Sequence, residues 1–100
     1  MLVVPNDHFR NLYDISEDAL SAVYATVKRV ALALKKAYGC NGIMTRQHNE
    51  AAGNQDVWHF HAHVFPRYDG DAFYERHGKN RWTDVDERAP YAERLREALR

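Results

Sequence analysis

The chain has 100 residues, 45% hydrophobic and 28% charged, and its 14 basic side chains balance 14 acidic ones. That is enough chain for one hydrophobic core and too little for two, so a single small globular unit is expected. A neutral balance offers no net field for nucleic acid or an anionic membrane, and one cysteine, Cys40, excludes an internal disulfide or a Cys-x-x-Cys metal site within the chain.

The chain opens on Leu2-Val3-Val4-Pro5, a short strand-like run. After a loop with Asn6, Asp7 and His8, Ser16 is placed to cap a helix whose first turn carries Glu17 and Asp18, where carboxylates suit the helix dipole. Leu20, Val23, Val27, Val30, Ala31 and Leu34 then recur at steps of three and four, which predicts an amphipathic helix stopped by Gly39. Lys28, Lys35 and Lys36 read as its solvated face. Residues 42–47 predict a strand, and residues 48–55 a polar connection into a second strand, the two forming an antiparallel hairpin. Pro66 has no N–H to donate to a ladder and is expected to end that second strand. Residues 68–88 read as irregular, and residues 90–99 as a helix with Pro90 in its first turn and Arg–Glu pairs on a solvated face, covering a dimer or sheet edge. Strand, helix, hairpin and extension predict an α+β protein: a small antiparallel sheet with one long amphipathic helix and a C-terminal helical extension. The densest apolar stretch, Val30 to Leu34, is far below membrane-spanning length, and with the lone cysteine this predicts a cytoplasmic protein.

Residues 57–67 place three of the six histidines at alternate positions. On a strand, His59, His61 and His63 share one face at steps of roughly 6.6 Å, while Phe60, Ala62 and Val64 point into a core. A neutral imidazole both donates and accepts, and its pKa near neutrality lets it attack, take a proton or return one. The central ring has neighbours on both sides, which makes His61 the candidate nucleophile. Two other readings stay open: a fortuitous row of half-exposed histidines, or a metal site. Three collinear imidazoles cannot all reach one ion at about 2 Å, though two could with help from His8 or His48. The preceding loop favours catalysis, because Asn49, Gly53, Asn54 and Gln55 can offer backbone N–H groups and amide donors to a phosphate beside the histidines. Arg67, at the strand end, reads as an ion-pair or backbone-capping group, and His77 as an exposed residue of the irregular extension.

The run His59-Phe60-His61-Ala62-His63-Val64-Phe65 resembles the His-φ-His-φ-His-φ-φ signature of the histidine triad family. Gln55-x-Val57-x-His59 before it, and Pro66-Arg67 and Gly70-Asp71 after it, resemble the branch containing dinucleoside polyphosphate hydrolases. Leu2-Val3-Val4-Pro5-x-x-His8 is similar to the family strand that leads into the long helix. The resemblance implies a domain over residues 1–71 that lacks the family's N-terminal portion, with residues 72–100 as an extension packing on it. It implies a homodimer, and a hydrolase or nucleotidyl transferase that acts on a small-molecule nucleotide without a metal or other cofactor. In that chemistry His61 attacks the α-phosphorus to give a nucleotidyl-histidine, His59 supports the ring of the nucleophile, and His63 faces phosphate oxygens or the leaving group. Asn49, Gly53, Asn54, Gln55, Asp56 and His8 would line the substrate. Asp56 stands where many members have serine or threonine, and Asn54 where glycine is usual. A further histidine that commonly precedes the first apolar run is absent. The alternative is a non-catalytic phosphate- or nucleotide-binding module, or a metal-binding histidine site.

Overall fold

A computed structural model describes residues 1–73 and 84–100. The first helix, α1, spans Glu17–Tyr38 and follows from its caps. The Ser16 hydroxyl accepts the Ala19 N–H at 3.2 Å, and Gly39, at φ 58°, adopts the left-handed conformation that ends the helix and donates its N–H to the Lys35 carbonyl. Lys35 is not merely a solvated charge: its ammonium donates to the Cys40 carbonyl at 2.7 Å and ties the turn after α1. Val23, Val27, Val30, Ala33 and Leu34 form the buried stripe, with Leu20 and Ala31 partly buried at its margin.

That stripe packs on a three-stranded antiparallel sheet of β1 (Leu2–Val3), β2 (Gly42–Arg46) and β3 (Ala62–Arg67), in the order β1-β3-β2. The hairpin register pairs Gly42 with Arg67, Met44 with Phe65 and Arg46 with His63, while β1 sets Leu2 opposite His63. Phe60, Ala62 and Val64 are buried as the alternation predicts and form the centre of the core with the α1 stripe. The small α+β architecture is therefore the one expected.

Two boundaries differ. β3 begins at Ala62, so His59 and His61 lie in the extended approach to the strand and only His63 is on the ladder. β2 ends at Arg46, and the Phe60 N–H is instead taken by the Phe9 carbonyl at 2.6 Å. β3 also continues through Pro66 to Arg67. The Val64 N–H points toward β1, onto the Met1 carbonyl, so the Pro66 nitrogen two residues later faces the same side, where no strand of the described residues lies opposite.

The second helix, α2, spans Val85–Leu99, starting five residues earlier than Pro90 suggested. The Asp84 carboxylate caps it by accepting the Glu87 N–H at 2.8 Å, which places Pro90 inside the helix rather than in its first turn. Residues 85–88, expected to be irregular, are therefore helical. Among the described residues α2 packs on α1 rather than on a sheet edge: Leu95 is buried, Tyr38 donates its hydroxyl to the Tyr91 carbonyl, and the Arg94 guanidinium lies 4.7 Å from the Tyr38 ring centre. Arg96–Glu93 and Arg100–Glu97 form the expected exposed ion pairs. No helix among the described residues is long and apolar enough to cross a membrane. His77 lies outside the described residues.

Candidate active site

The outward row of β3 and its approach is built from rings. His61 and His63 meet edge to face with centroids 5.1 Å apart, and His63 stacks on Phe65 at 5.4 Å with planes 9° apart. His61 is nearly buried and His63 partly so. The dry backing that Phe60, Ala62 and Val64 give this row keeps its backbone fixed.

Hydrogen bonding sets the protonation of each ring. The His61 Nδ1 lies 2.7 Å from the His59 carbonyl oxygen, which can only accept, so Nδ1 carries the proton and Nε2 keeps its lone pair. His59 thus supports the His61 ring, through its carbonyl rather than its own ring. The His59 ring turns away: its Nε2 donates to the Pro5 carbonyl at 3.2 Å, and its Nδ1 sits 3.1 Å from the Nδ1 of His8. With Nε2–H committed, His59 Nδ1 accepts and His8 donates. His8 therefore clamps His59 and fixes the chain from which His61 is hung. That spacing also suits two ligands of one ion, yet no group of three metal-ligating side chains is present among the described residues.

His63 titrates below the ordinary histidine range, first because of burial and then because of the charges that His61, His48 and Arg46 would set beside an imidazolium. It is therefore neutral at pH 7.

The loop between β2 and β3 holds the remaining expected residues. Gln55 is buried: its Oε1 accepts the Glu50 N–H, and its two amide hydrogens go to the carbonyls of Arg10 (2.6 Å) and Val57 (3.0 Å). No amide hydrogen is left for a phosphate, so Gln55 shapes the loop rather than offering a donor. Asn49 is similarly committed, accepting from Leu12 N–H and Gln47 Nε2 and donating to Gln47 Oε1, with one amide hydrogen to spare. Gly53 gives its carbonyl to His48, and its N–H bonds the Glu50 carbonyl. Asn54, at φ 69°, takes the left-handed position after the short 3₁₀ turn Ala51–Gly53, a conformation asparagine tolerates well. Asn54 and Asp56 are exposed at the loop surface. Glu50 is held at φ 65° and ψ 168°, a region almost confined to glycine, and three hydrogen bonds that tie its N–H and carbonyl into this loop hold it there.

Two further side chains join the site: His48, which the sequence offered only as a metal co-ligand, and Arg46, which it did not assign. His48 places its ring 6.3 Å from His63, with Nδ1–H donated to the Gly53 carbonyl at 2.8 Å. Arg46 is the cross-strand neighbour of His63. The signal for Arg46 was the hairpin register, which spacing within either strand does not reveal. Arg67, by contrast, behaves as expected: Nε and Nη2 grip the Asp71 carboxylate at 2.7 and 2.9 Å. That grip, with the N–H groups of Tyr68 and Phe73, holds Asp71 far below the usual carboxylate range.

A dry-backed histidine row beside a tightly bonded loop on a small α+β sheet is the arrangement this chain forms, and comparison with known proteins identifies its family. The HIT domain model matches residues 1–70, and the chain belongs to the histidine triad (HIT) family. It is 32% identical over 73 residues to "Protein hit" of Bacillus subtilis, a match covering 72% of this chain and 50% of that protein. It is 27% identical over 73 residues to the adenylylsulfatase HINT3 of Arabidopsis thaliana, covering 73% of this chain and 37% of that one. The crystal structure of a Hit-like protein involved in cell-cycle regulation from Bartonella henselae superposes with a TM-score of 0.87 at 36% identity, over 97% of this chain and 68% of that one. The chain thus spans about half the length of the curated relative from Bacillus.

Proposed function

We propose that this protein is a nucleotide hydrolase or nucleotidyl transferase that cleaves at the α-phosphate of a nucleoside polyphosphate or related adduct through a nucleotidyl-histidine on His61. The observation that carries this reading is the 2.7 Å bond from His61 Nδ1 to the His59 carbonyl. It leaves Nε2 unprotonated and stabilises the positive charge the ring acquires when it bonds to phosphorus. The Nε2 lone pair attacks the α-phosphorus, the bond to the leaving group breaks, and its electrons leave with that group. Water then attacks the same phosphorus, releases the nucleoside monophosphate and returns His61 to its starting state. Neutral His63, 5.1 Å away, is placed to hydrogen-bond the phosphate oxygens or take the proton of the attacking water. The adenylylsulfatase activity named for the Arabidopsis relative supports chemistry at an α-phosphate.

The test is a rapid-quench experiment with a labelled dinucleoside polyphosphate. Wild type should carry acid-labile label on protein, and His61→Ala should carry none. Equal labelling of the two would overturn the assignment, and mononucleotide binding without label or turnover would make the domain a binding module. The same reading takes the chain as half of a cytoplasmic homodimer. Tyr24 and Leu32, large side chains that α1 leaves exposed, support a second copy, and sedimentation at the monomer mass would remove that part.

A further inference from the structure

His48 is wired like His61. Its Nδ1 lies 2.8 Å from the Gly53 carbonyl oxygen, which can only accept, so Nδ1 carries the proton and Nε2 keeps its lone pair. That Nε2 makes no hydrogen bond among the described residues, and the ring is only partly buried. The ring meets His63 edge to face, with centroids 6.3 Å apart. His63 is held differently. It touches the rings of His61, His48 and Phe65, and its side chain makes no hydrogen bond among the described residues. Burial and the charges of His61, His48, the Met1 amine and Arg46 all resist a proton on His63, and no acceptor among the described residues steadies one there.

We propose that His48 is a further catalytic residue, the base that takes the proton of the water that hydrolyses the nucleotidyl group on His61. The proposal rests on His61 as nucleophile. Water attacks the phosphorus in line, from the side opposite the His61 nitrogen. The bond to phosphorus, a water at near-attack distance and one hydrogen bond together extend roughly 8 Å from nitrogen to nitrogen. One ring step of 5.1 Å separates His61 from His63, which sets His63 beside the phosphate oxygens. A second step, of 6.3 Å, leads to His48 and gives the reach that the in-line array needs. The water oxygen bonds to phosphorus, the P–N bond breaks with its electrons returning to His61 Nε2, and the water proton passes to His48 Nε2. The nucleoside monophosphate departs, and His48 gives its proton to solvent. While cationic, the His48 ring is steadied by its Nδ1–H bond to the Gly53 carbonyl, as the His61 ring is by the His59 carbonyl.

Formation and decay of the labelled protein separate this role from a structural one. The full chain is mixed with a labelled dinucleoside tetraphosphate, whose leaving group departs as an anion without a proton from the protein. Label on protein is then followed by rapid quench in wild type, His48→Asn and His63→Gln. The asparagine amide can still donate to the Gly53 carbonyl, while nothing replaces Nε2. Loss of a general base predicts decay of the label roughly 100-fold slower in His48→Asn, with its formation changed less than about 3-fold. Added imidazole should speed the decay in His48→Ala in proportion to its concentration, and this arm carries the test if the asparagine variant folds poorly. Decay as fast in His48→Asn as in wild type, formation and decay slowed by one factor, persistence of label confined to His63→Gln, or no acceleration by imidazole would overturn the proposal while leaving the nucleophile in place. Absence of label from wild type would remove the nucleophile, and this role with it.

Discussion

The ring that contributes most to the position of His61 is one that does not face it. His59 acts through its backbone carbonyl, while its imidazole is held by His8 and Pro5. Removing the His59 side chain therefore leaves the oxygen that fixes the His61 tautomer but releases the segment that carries it. His59→Ala should retain measurable labelling at His61 where His61→Ala retains none. His8→Ala and His59→Ala should lower stability by amounts that do not add, since each breaks the same contact; a double-mutant cycle with zero coupling would refute the clamp. His63 gives a pH dependence. Its pKa is depressed in the folded protein, so between its unfolded value of about 6.5 and its lower folded value the unfolded chain binds more protons. Stability should fall as pH is lowered through that window, and His63→Gln should fall less steeply in pH-dependent thermal melts. The alternation His-x-His-x-His was plain in the sequence. The inward turn of His59 and the spent amide of Gln55 were not, because both depend on carbonyls of Pro5 and Arg10, which lie about 50 positions away along the chain.

At the scale of elements, α1 was legible almost to the residue, because a hydroxyl at one end, a left-handed glycine at the other and a stripe at helical spacing are all local signals. The strands were legible as segments but not in their limits. β3 starts late because its neighbours stop at Val3 and Arg46, and it passes through Pro66 because that nitrogen faces away from β2. The start of α2 is marked not by Pro90 but by Asp84, whose carboxylate caps a helix that begins five residues before the proline. A proline in the sixth helical position removes one helix hydrogen bond and crowds the preceding turn. Pro90→Ala should therefore stabilise the protein, by up to about 3 kcal/mol if the turn is strain-free otherwise, as read by denaturant midpoint at constant m-value. An unchanged midpoint would mean that α2 adds little to the cooperative unit.

For the whole molecule, one core joins α1 and the sheet, and the histidine row lies on the alternate positions of the same strand and its approach. Phe60 and Val64 are fully buried and alternate with His61, His63 and Phe65, so the residues that hold the core together also set the spacing of the site. By itself the sequence determined the α+β class, the long helix with both its caps, the inward and outward assignment of residues 60–65 and the family, because each of these is written in local periodicity or in a contiguous motif. The tertiary structure alone decided which nitrogen of His61 is left bare, that His8 clamps His59, that Gln55 spends its whole amide inside the protein while Asn49 keeps one amide hydrogen, and that Arg46 stands beside His63. Those facts come from strand register and loop closure, which bring together residues that no spacing along the chain relates.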